Sequence, residues 1–447
     1  MAKLGFLDSV ETGRIRGWAF DDGNPGSAAS IDICINGTVI ATIECLEYRQ
    51  DLADAGIGDG RHGFSYHLPQ PDGDLTVRFA GGGPVLNNGE CVLPGLSYRL
   101  LASSVIAKGL WSIDHLNLSE NELAIDGWCV PPRAVPVPFA IAHNQETLRL
   151  TRYRRDDIAR MLGLAGDETG FGFRARSSFS GASGAHEFAF RHACAMRPFD
   201  PHQTIHYIET ATPLPPAALR KRVHGSEDAL SFVREGSTAF VRLGRVLREY
   251  FSKSIADFSR VLDWGCGSGR VLRYFAGSAA PNVTGIDIDP QAIEWCQQAF
   301  PLCEFAAVNP QPPTPMAAGT FDLIYAISVL THLREPDQMK WLEELHRISR
   351  PDAVILLTTF GDVGWWRGRL PWNQYAAWRI DNAGFYNAGP NKDIDETGVA
   401  DPDYYRNVFI SHEYISRNWP RYFDIVEILP GAIGNHQDLV ILKRRVD

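Results

Sequence analysis

The chain has no cysteines spaced for a metal or a redox motif. Its eight cysteines (Cys34, Cys45, Cys91, Cys129, Cys194, Cys266, Cys296 and Cys303) form no C-x-x-C unit and no zinc-ligand spacing. They read as free thiols in a reducing compartment. Long apolar runs are missing as well. Nothing approaches the roughly 18 consecutive apolar residues of a membrane-spanning helix, so no transmembrane segment is expected. The opening MAKLGFLDSVETGR has no apolar h-region, so a secretory signal is not expected and a cytoplasmic location is. Positive charge is not in excess. Lys and Arg number 43 against 53 Asp and Glu, for a formal net charge of −10 and a pI near 5.7. That argues against a general nucleic-acid binder, which carries a basic face, without excluding a local basic groove. No partner of that kind is expected.

At 447 residues, 45% hydrophobic and 21% charged, the chain is of ordinary globular composition and too long for one core. Its N-terminal part contains a repeat. GRIRGWAFDD and the stretch IDICINGTVIATIECLEYRQDLADAGIGDGRHGFSYHLP are answered by NELAIDGWCVPP and FAIAHNQETLRLTRYRRDDIARMLGLAGDETGFGFRARSS. Gly17-Trp18 answers to Gly127-Trp128, Tyr48-Arg49-Gln50-Asp51 to Tyr153-Arg154-Arg155-Asp156, and Gly63-Phe64 to Gly170-Phe171. A period of about 110 residues is far beyond solenoid periods and indicates a duplicated domain. IDICINGTVIATIE alternates around Asn36-Gly37, a hairpin signal. Short helices are expected near QDLADAG and RDDIARMLG. Two β-rich, sandwich-like domains are therefore expected over 1–100 and 101–212. Trp18 and Trp128 read as core residues, with a sugar platform as the sharper alternative. ETATPLPPAALRKR, carrying Pro213, Pro215 and Pro216, reads as a linker. LSFVREGSTAFVRLGRVLREYF has helical spacing.

The most informative segment is VLDWGCGSGR, Val261 to Arg270. It reads as a buried strand, a glycine turn and a helix. Gly265, Gly267 and Gly269 alternate, and glycine lets a ligand lie against the backbone. Asp263 stands at the strand end, where an open α/β sheet places its ligand crevice. A second strand, 283–288, ends at Asp287, placed to reach a ribose diol. The dinucleotide fingerprint G-x-G-x-x-G fails, because Arg270 occupies the place of its third glycine. Further strands are expected at 303–309, 321–328, 353–360, 423–429 and 438–444. Helices are expected to begin at Asp289-Pro290 and Glu335-Pro336. The eight residues PGAIGNHQ are too few for a parallel crossover, so the final strand must run antiparallel.

On G-x-G-x-G after an acidic strand end, with a second acid closing the next strand, the part from 213 to 447 resembles class I methyltransferases that bind S-adenosyl-L-methionine. The resemblance implies an α/β Rossmann-like fold with a seven-stranded sheet whose last strand is antiparallel. It implies cofactor contacts from Asp263, Gly265, Cys266, Gly267, Gly269, Asp287, Ile288, Asn309 and Ser328. Cys266 is the small filler of the turn, with a reactive thiol as the alternative. FDLIYAISVLTHL matches the segment that closes the cofactor site and carries Ser328, Thr331 and His332. Methyl transfer chiefly needs positioning, and a hydroxyl acceptor also needs a proton acceptor. His332 is the candidate base, with a local packing role as the alternative. His436 and Asp438, in the Asn435–Asp438 loop, are further candidates. His412 and Glu413, after the capping Ser411, are weaker ones.

The insertion 361–410 is dense in aromatics: Trp365, Trp366, Trp372, Tyr375, Trp378, Phe385, Tyr386, Tyr404, Tyr405 and Phe409. With Asp393, Asp395, Asp401, Asp403 and Arg406 it either lines an acceptor site or forms a lid with its own core. The β-rich modules and the tail FISHEYISRNWPRYFDIVEILPGAIGNHQDLVILKR resemble parts of bacterial surface-glycan enzymes. The resemblance implies a glycan hydroxyl as acceptor and contact with glycan-assembly enzymes. A small molecule, lipid or peptide acceptor is the alternative, and a non-catalytic assembly protein a second one.

Overall fold

The computed structural model describes residues 3–11, 14–68, 73–93, 110–119, 122–130, 139–161, 172–178, 184–192, 204–278, 282–367, 378, 384–390 and 404–445. It divides into two compact units. One comprises Met1–Val105, Arg152–Gly172 and Gly368–Ala377; the other comprises Ile106–Thr151, Phe173–Arg367 and Trp378–Asp447. Most of the second β-rich module, all but Arg152–Gly172 among its residues from 106 on, thus shares a unit with the C-terminal part, and position 212 lies within that unit.

In the first unit, one eight-stranded sheet includes Lys3–Glu11, Arg14–Asp21, Arg61–His67, Ser30–Ile35, Thr38–Glu44, Gly73–Phe79 and Val85–Leu93. A parallel bridge from Phe6 to Asn87 joins the two halves of this sheet. Both halves feed one core: Leu7, Ile15, Ala19 and Phe64 meet Ile31, Ile33, Val77 and Leu86. Asn36 and Gly37 both take positive φ, 51° and 76°, as a two-residue hairpin turn requires. The Asn36 side chain also accepts from the Asp74 N–H at 2.8 Å.

The second module repeats this plan. Thr38–Glu44, Ser30–Ile35, Gly73–Phe79 and Val85–Leu93 are neighbours in that order, as are Glu146–Thr147, Phe139–His143, Ala185–His192 and Ile205–Ile208. Asn144 and Gln145 replace Asn36 and Gly37, with φ of 46° and 76°. Asn144 likewise accepts from Glu187 N–H at 2.9 Å. The glycine–aromatic correspondence needs a shift of two residues. A Cβ on Gly17 would meet the Phe64 ring at 2.7 Å, and one on Gly127 would meet Phe173 at 2.9 Å. The partner of Gly63-Phe64 is therefore Gly172-Phe173, while Gly170-Phe171 lies outside the described residues. Y-R-x-D is a helix-start device. Arg49 donates to Asp51 at 3.0 and 2.6 Å, and Arg154 to Asp156 at 3.4 and 3.3 Å. Trp128 is buried and Trp18 half-buried.

The C-terminal part is built on seven strands: β1 (Val261–Trp264), β2 (Val283–Asp287), β3 (Glu304–Ala307), β4 (Phe321–Ala326), β5 (Ser349–Thr359), β6 (Phe423–Ile433) and β7 (Gln437–Arg444). Their order is β3-β2-β1-β4-β5-β7-β6, with β1 to β5 parallel and β7 antiparallel to both neighbours. Alternate residues of each strand enter opposite cores. Leu262, Ile324, Ile355 and Val440 lie on one face, and Val261, Leu323, Val354 and Leu439 on the other. Burial on both faces is the usual state of a parallel sheet.

Helices α1 (Ala217–His224), α2 (Ala229–Phe251), α3 (Leu272–Ala276), α4 (Pro290–Ala299), α5 (Glu335–Ile348) and α6 (His412–Asn418) surround it. The stretch expected to be a linker is corrected: its prolines end at Pro216, the N-cap of α1. Asp289 caps α4 through the Gln291 and Ala292 N–H groups, whereas α5 starts after Arg334 with no side-chain cap. Helix α2 serves two cores, Val233 entering that of the second module and Ala239, Leu243, Val246 and Leu247 that of the sheet. No described helix is long and apolar enough to cross a membrane.

Candidate active site

The site is built at the carboxyl ends of β1, β2 and β4. The β1 chain turns over β2, with the Gly265 and Cys266 N–H groups donating to the Ile286 carbonyl at 2.8 and 3.1 Å. Gly265, Gly267 and Gly269 have φ of +76°, +50° and +78°. A Cβ on Gly267 would also lie 2.5 Å from Val223 of α1, and one on Gly269 2.7 Å from Phe300. Only glycine meets both demands. Cys266 is buried within the turn. Its hydrogen bond with Cys296, together with burial, pushes its thiol well above the usual range, so it stays protonated and fills space.

Asp287 closes β2 and organises the turn. One carboxylate oxygen accepts the Gly267 N–H at 2.7 Å and the other the Asp289 N–H at 2.9 Å. Burial raises its pKa against these bonds. Asp263 is buried and accepts the Tyr325 hydroxyl at 2.9 Å. Burial pushes it to about 7, against the Tyr325 hydrogen bond.

These groups line one cleft, partly open to solvent. Of the expected cofactor residues, Asp263, Gly265, Cys266, Gly267, Asp287, Ile288 and Ser328 line it. Gly269 shapes the turn from outside the lining. Asn309 is corrected: β3 ends at Ala307, Asn309 is exposed, and Val308 faces the cleft instead. Ser328 has φ of +66°. Its N–H donates to Thr358 Oγ1 at 2.8 Å and its hydroxyl accepts from Gln437 at 2.7 Å.

His332 lines the same cleft. Its Nδ1 lies 3.0 Å from the Arg406 carbonyl. A carbonyl only accepts, so Nδ1 carries the proton and Nε2 holds the lone pair. Burial lowers its pKa against that hydrogen bond and keeps the ring neutral.

The other catalytic candidates lie outside this lining. Asp438 is corrected from proton acceptor to anchor. The chain is already in β7 at Gln437, so Asp438 is fully buried beside Thr359. Its carboxylate accepts His412 Nε2 at 2.7 Å and the Gly431 N–H at 2.8 Å. Burial opposes the charge of His412, but Asp438 outweighs it and raises the His412 pKa. His436 packs against Phe360 at 4.7 Å.

Three lining residues carried no sequence signal, Arg222 and Val223 of α1 and Trp341 of α5, while Tyr404 and Tyr405 come from the aromatic insertion. Arg222 pairs with Asp289 at 3.0 Å. Trp341 and Tyr404 both donate to the Pro310 carbonyl, at 3.2 and 2.8 Å. In the insertion, Trp365 and Trp378 are fully buried and stacked at 4.8 Å, with Phe409 and Tyr386 against Trp365. These rings form a core, while Tyr404 and Tyr405 face the cleft. Trp372, Tyr375, Asp393, Asp395, Asp401, Asp403 and the Trp366 side chain lie outside the described residues.

The residues fit S-adenosyl-L-methionine. The glycine turn leaves backbone open, two strand-end carboxylates can accept from amino and hydroxyl groups, and Ile288 and Val308 give an apolar wall. Asp263 should make binding pH-dependent. A protonated Asp263 must ionise to accept an ammonium group, so affinity for S-adenosylhomocysteine should rise as pH increases through about 7. Below that pH, affinity should fall by up to about tenfold per unit, with a proton released on binding. Calorimetry in buffers of different ionisation heat checks this. An affinity flat from pH 6 to 8 would show Asp263 already charged.

Residues 237–389 match the family model described as a methyltransferase domain. The chain is 30% identical over 138 residues to a ribosomal protein L11 methyltransferase of Burkholderia thailandensis, covering 29% of this chain and 46% of that protein. It is 31% identical over 99 residues to a 2-methyl-6-phytyl-1,4-hydroquinone methyltransferase of Synechocystis, covering 22% of this chain and 30% of that protein. The chain thus spans less than half the length of these relatives. Among solved structures, a 1,6-didemethyltoxoflavin-N1-methyltransferase of Burkholderia thailandensis with bound S-adenosylhomocysteine has a TM-score of 0.33 at 17% identity. That match covers 56% of this chain and 99% of the other.

Proposed function

We propose that this chain, whose C-terminal part carries a class I methyltransferase domain, uses S-adenosyl-L-methionine to methylate a sugar hydroxyl of a bacterial surface polysaccharide or its precursor. The observation that carries the methyltransferase reading is the single cleft that joins the G-x-G-x-G turn, Asp263, Asp287 and His332. The glycan acceptor rests on the resemblance of the β-rich modules and the tail. A small-molecule acceptor is the alternative, favoured by the hydroquinone named for one relative.

When bound, S-adenosyl-L-methionine supplies an electrophilic methyl group on a sulfonium. The protein's part is to align the acceptor and exclude water. The glycine turn and Asp287 fix the cofactor end. Tyr404 and Tyr405 cover the cleft. His332 Nε2 takes the hydroxyl proton as the oxygen attacks, with the Arg406 carbonyl holding the ring's orientation and tautomer. The test is incubation of the full chain with methyl-labelled S-adenosyl-L-methionine and a panel of hydroxylated acceptors. A labelled methyl ether on a sugar supports the reading. Label only on nitrogen, or on non-sugar molecules, counts against the glycan acceptor.

A further inference from the structure

A second cavity adjoins the first within the same compact unit. It has about 970 Å³ of free space, partly open. Arg270, Ile327 and Ser328 line both cavities, so they form a shared wall. The far side comes from two places: Trp111, Ser112 and Ile113 of the second β-rich module, and the β6–β7 turn, including His436. Helix α2 supplies Arg234 and Glu235.

The charged lining is unequal. Arg270 lies 3.0 Å from Glu235, and Arg234 lies 3.7 Å from the same carboxylate. His224 is a third partner at 3.0 Å. Burial opposes the charge of Glu235, but His224 and Arg270 outweigh it and hold it at about 2, so it is ionised at neutral pH. Two guanidinium groups then face one carboxylate in this lining. Arg234 also donates to the Ile113 carbonyl at 3.2 Å, which ties this charge to the module's first described strand. Arg270 Nε is buried without a hydrogen-bond partner among the described residues. Trp111 offers an apolar wall and is backed by Phe190 at 5.0 Å.

We infer that this second cavity is the acceptor site, that it selects an acceptor bearing an anionic group, carboxylate or phosphate, and that the second β-rich module builds one of its walls. The inference rests on the methyltransferase reading. The anion meets Arg234 and Arg270, the apolar face of the acceptor lies along Trp111, and the shared wall at Ser328 sets its hydroxyl toward the cofactor cleft. The second module is then a structural part of the acceptor site, and the acidic chain as a whole presents one local cationic pocket to it.

The test uses the full chain saturated with S-adenosylhomocysteine, so that the cofactor cleft is filled. Inorganic phosphate, glucose 1-phosphate, glucuronate and glucose are titrated in turn. The anionic sugars should bind at least tenfold more tightly than glucose. A preference between glucose 1-phosphate and glucuronate tells phosphate from carboxylate. Arg234→Gln should weaken both by tenfold or more, with S-adenosylhomocysteine affinity changed less than twofold, and Arg234→Lys should restore part of the binding. Ser112→Phe, which adds bulk to the lining, should abolish sugar binding with the same cofactor affinity. Equal binding of glucose and the anionic sugars, no binding of any probe, or anion binding unchanged in both Arg234→Gln and Ser112→Phe would overturn the assignment. A protein that fails to bind S-adenosylhomocysteine at all would instead overturn the methyltransferase reading.

Discussion

His332→Ala should retain S-adenosylhomocysteine affinity and lose roughly 10²–10⁴-fold in turnover, the usual contribution of a positioned general base. The expectation rests on its geometry. The ring lines the cleft of the glycine turn, its Nδ1–H is committed to the Arg406 carbonyl, and burial keeps it neutral. A neutral ring with Nε2 unprotonated is ready to accept a proton across the pH range where an imidazole in water would already be charged. His332→Gln can keep a hydrogen bond to the Arg406 carbonyl but cannot take up a proton, so it should be nearly as slow as His332→Ala. If His332→Ala lost cofactor affinity or stability instead, the ring would be a packing residue between Leu330 and the 406–410 strand. Near-normal turnover would move the role to His436, which lines the acceptor-side cavity, or to His412, which Asp438 holds in place.

Asp287→Ala should weaken S-adenosylhomocysteine binding by about 1.5–3 kcal/mol, roughly 10–150-fold in dissociation constant. Two losses combine. A charge-assisted acceptor for hydroxyl groups disappears. The Gly267 and Asp289 N–H groups, both held by this carboxylate, also lose their partner. Asp287→Asn keeps one carbonyl acceptor, so its loss should be smaller. Calorimetry on both variants, with circular dichroism to confirm folding, reads this directly. Unchanged affinity in Asp287→Ala would remove the carboxylate from the site.

The legible parts of this site were those written in consecutive residues. The glycine turn, Asp263, Asp287 and Ile288 all follow from strand ends and turn chemistry, and local signals are enough to place them in one crevice. Asn309 failed because β3 stops two residues earlier, a boundary shift that exchanges one facing residue for its neighbour. Asp438 failed for a related reason, since the strand begins before it and carries it into the sheet. Arg222 and Trp341 were out of reach altogether, and for Tyr404 and Tyr405 the sequence left a lining role and a core role open. They arrive from α1, α5 and the insertion, and only tertiary packing brings them to the cleft.

The repeat was legible through Gly17-Trp18 and Gly127-Trp128, yet its register slipped in G-F-G-F, where Gly170-Phe171 and Gly172-Phe173 compete. Only the packing of Phe173 on Gly127 distinguishes them. Gln145, a non-glycine residue at a positive φ, takes the place of Gly37, so the second hairpin lacks the Asn-Gly signal of the first. The second cavity had no sequence signature, because Trp111, Arg234, Arg270 and His436 lie in four separate segments.

The most direct measurement of the central claim is a calorimetric titration of S-adenosylhomocysteine into the full chain and into Gly267→Val. Gly267 has a positive φ and no room for a Cβ against Val223, and its N–H is held by Asp287. Saturable binding at one site per chain, lost in a folded Gly267→Val, is the predicted result. No binding to the unmodified chain, or equal binding to a folded Gly267→Val, would contradict the assignment of this cleft as the cofactor site.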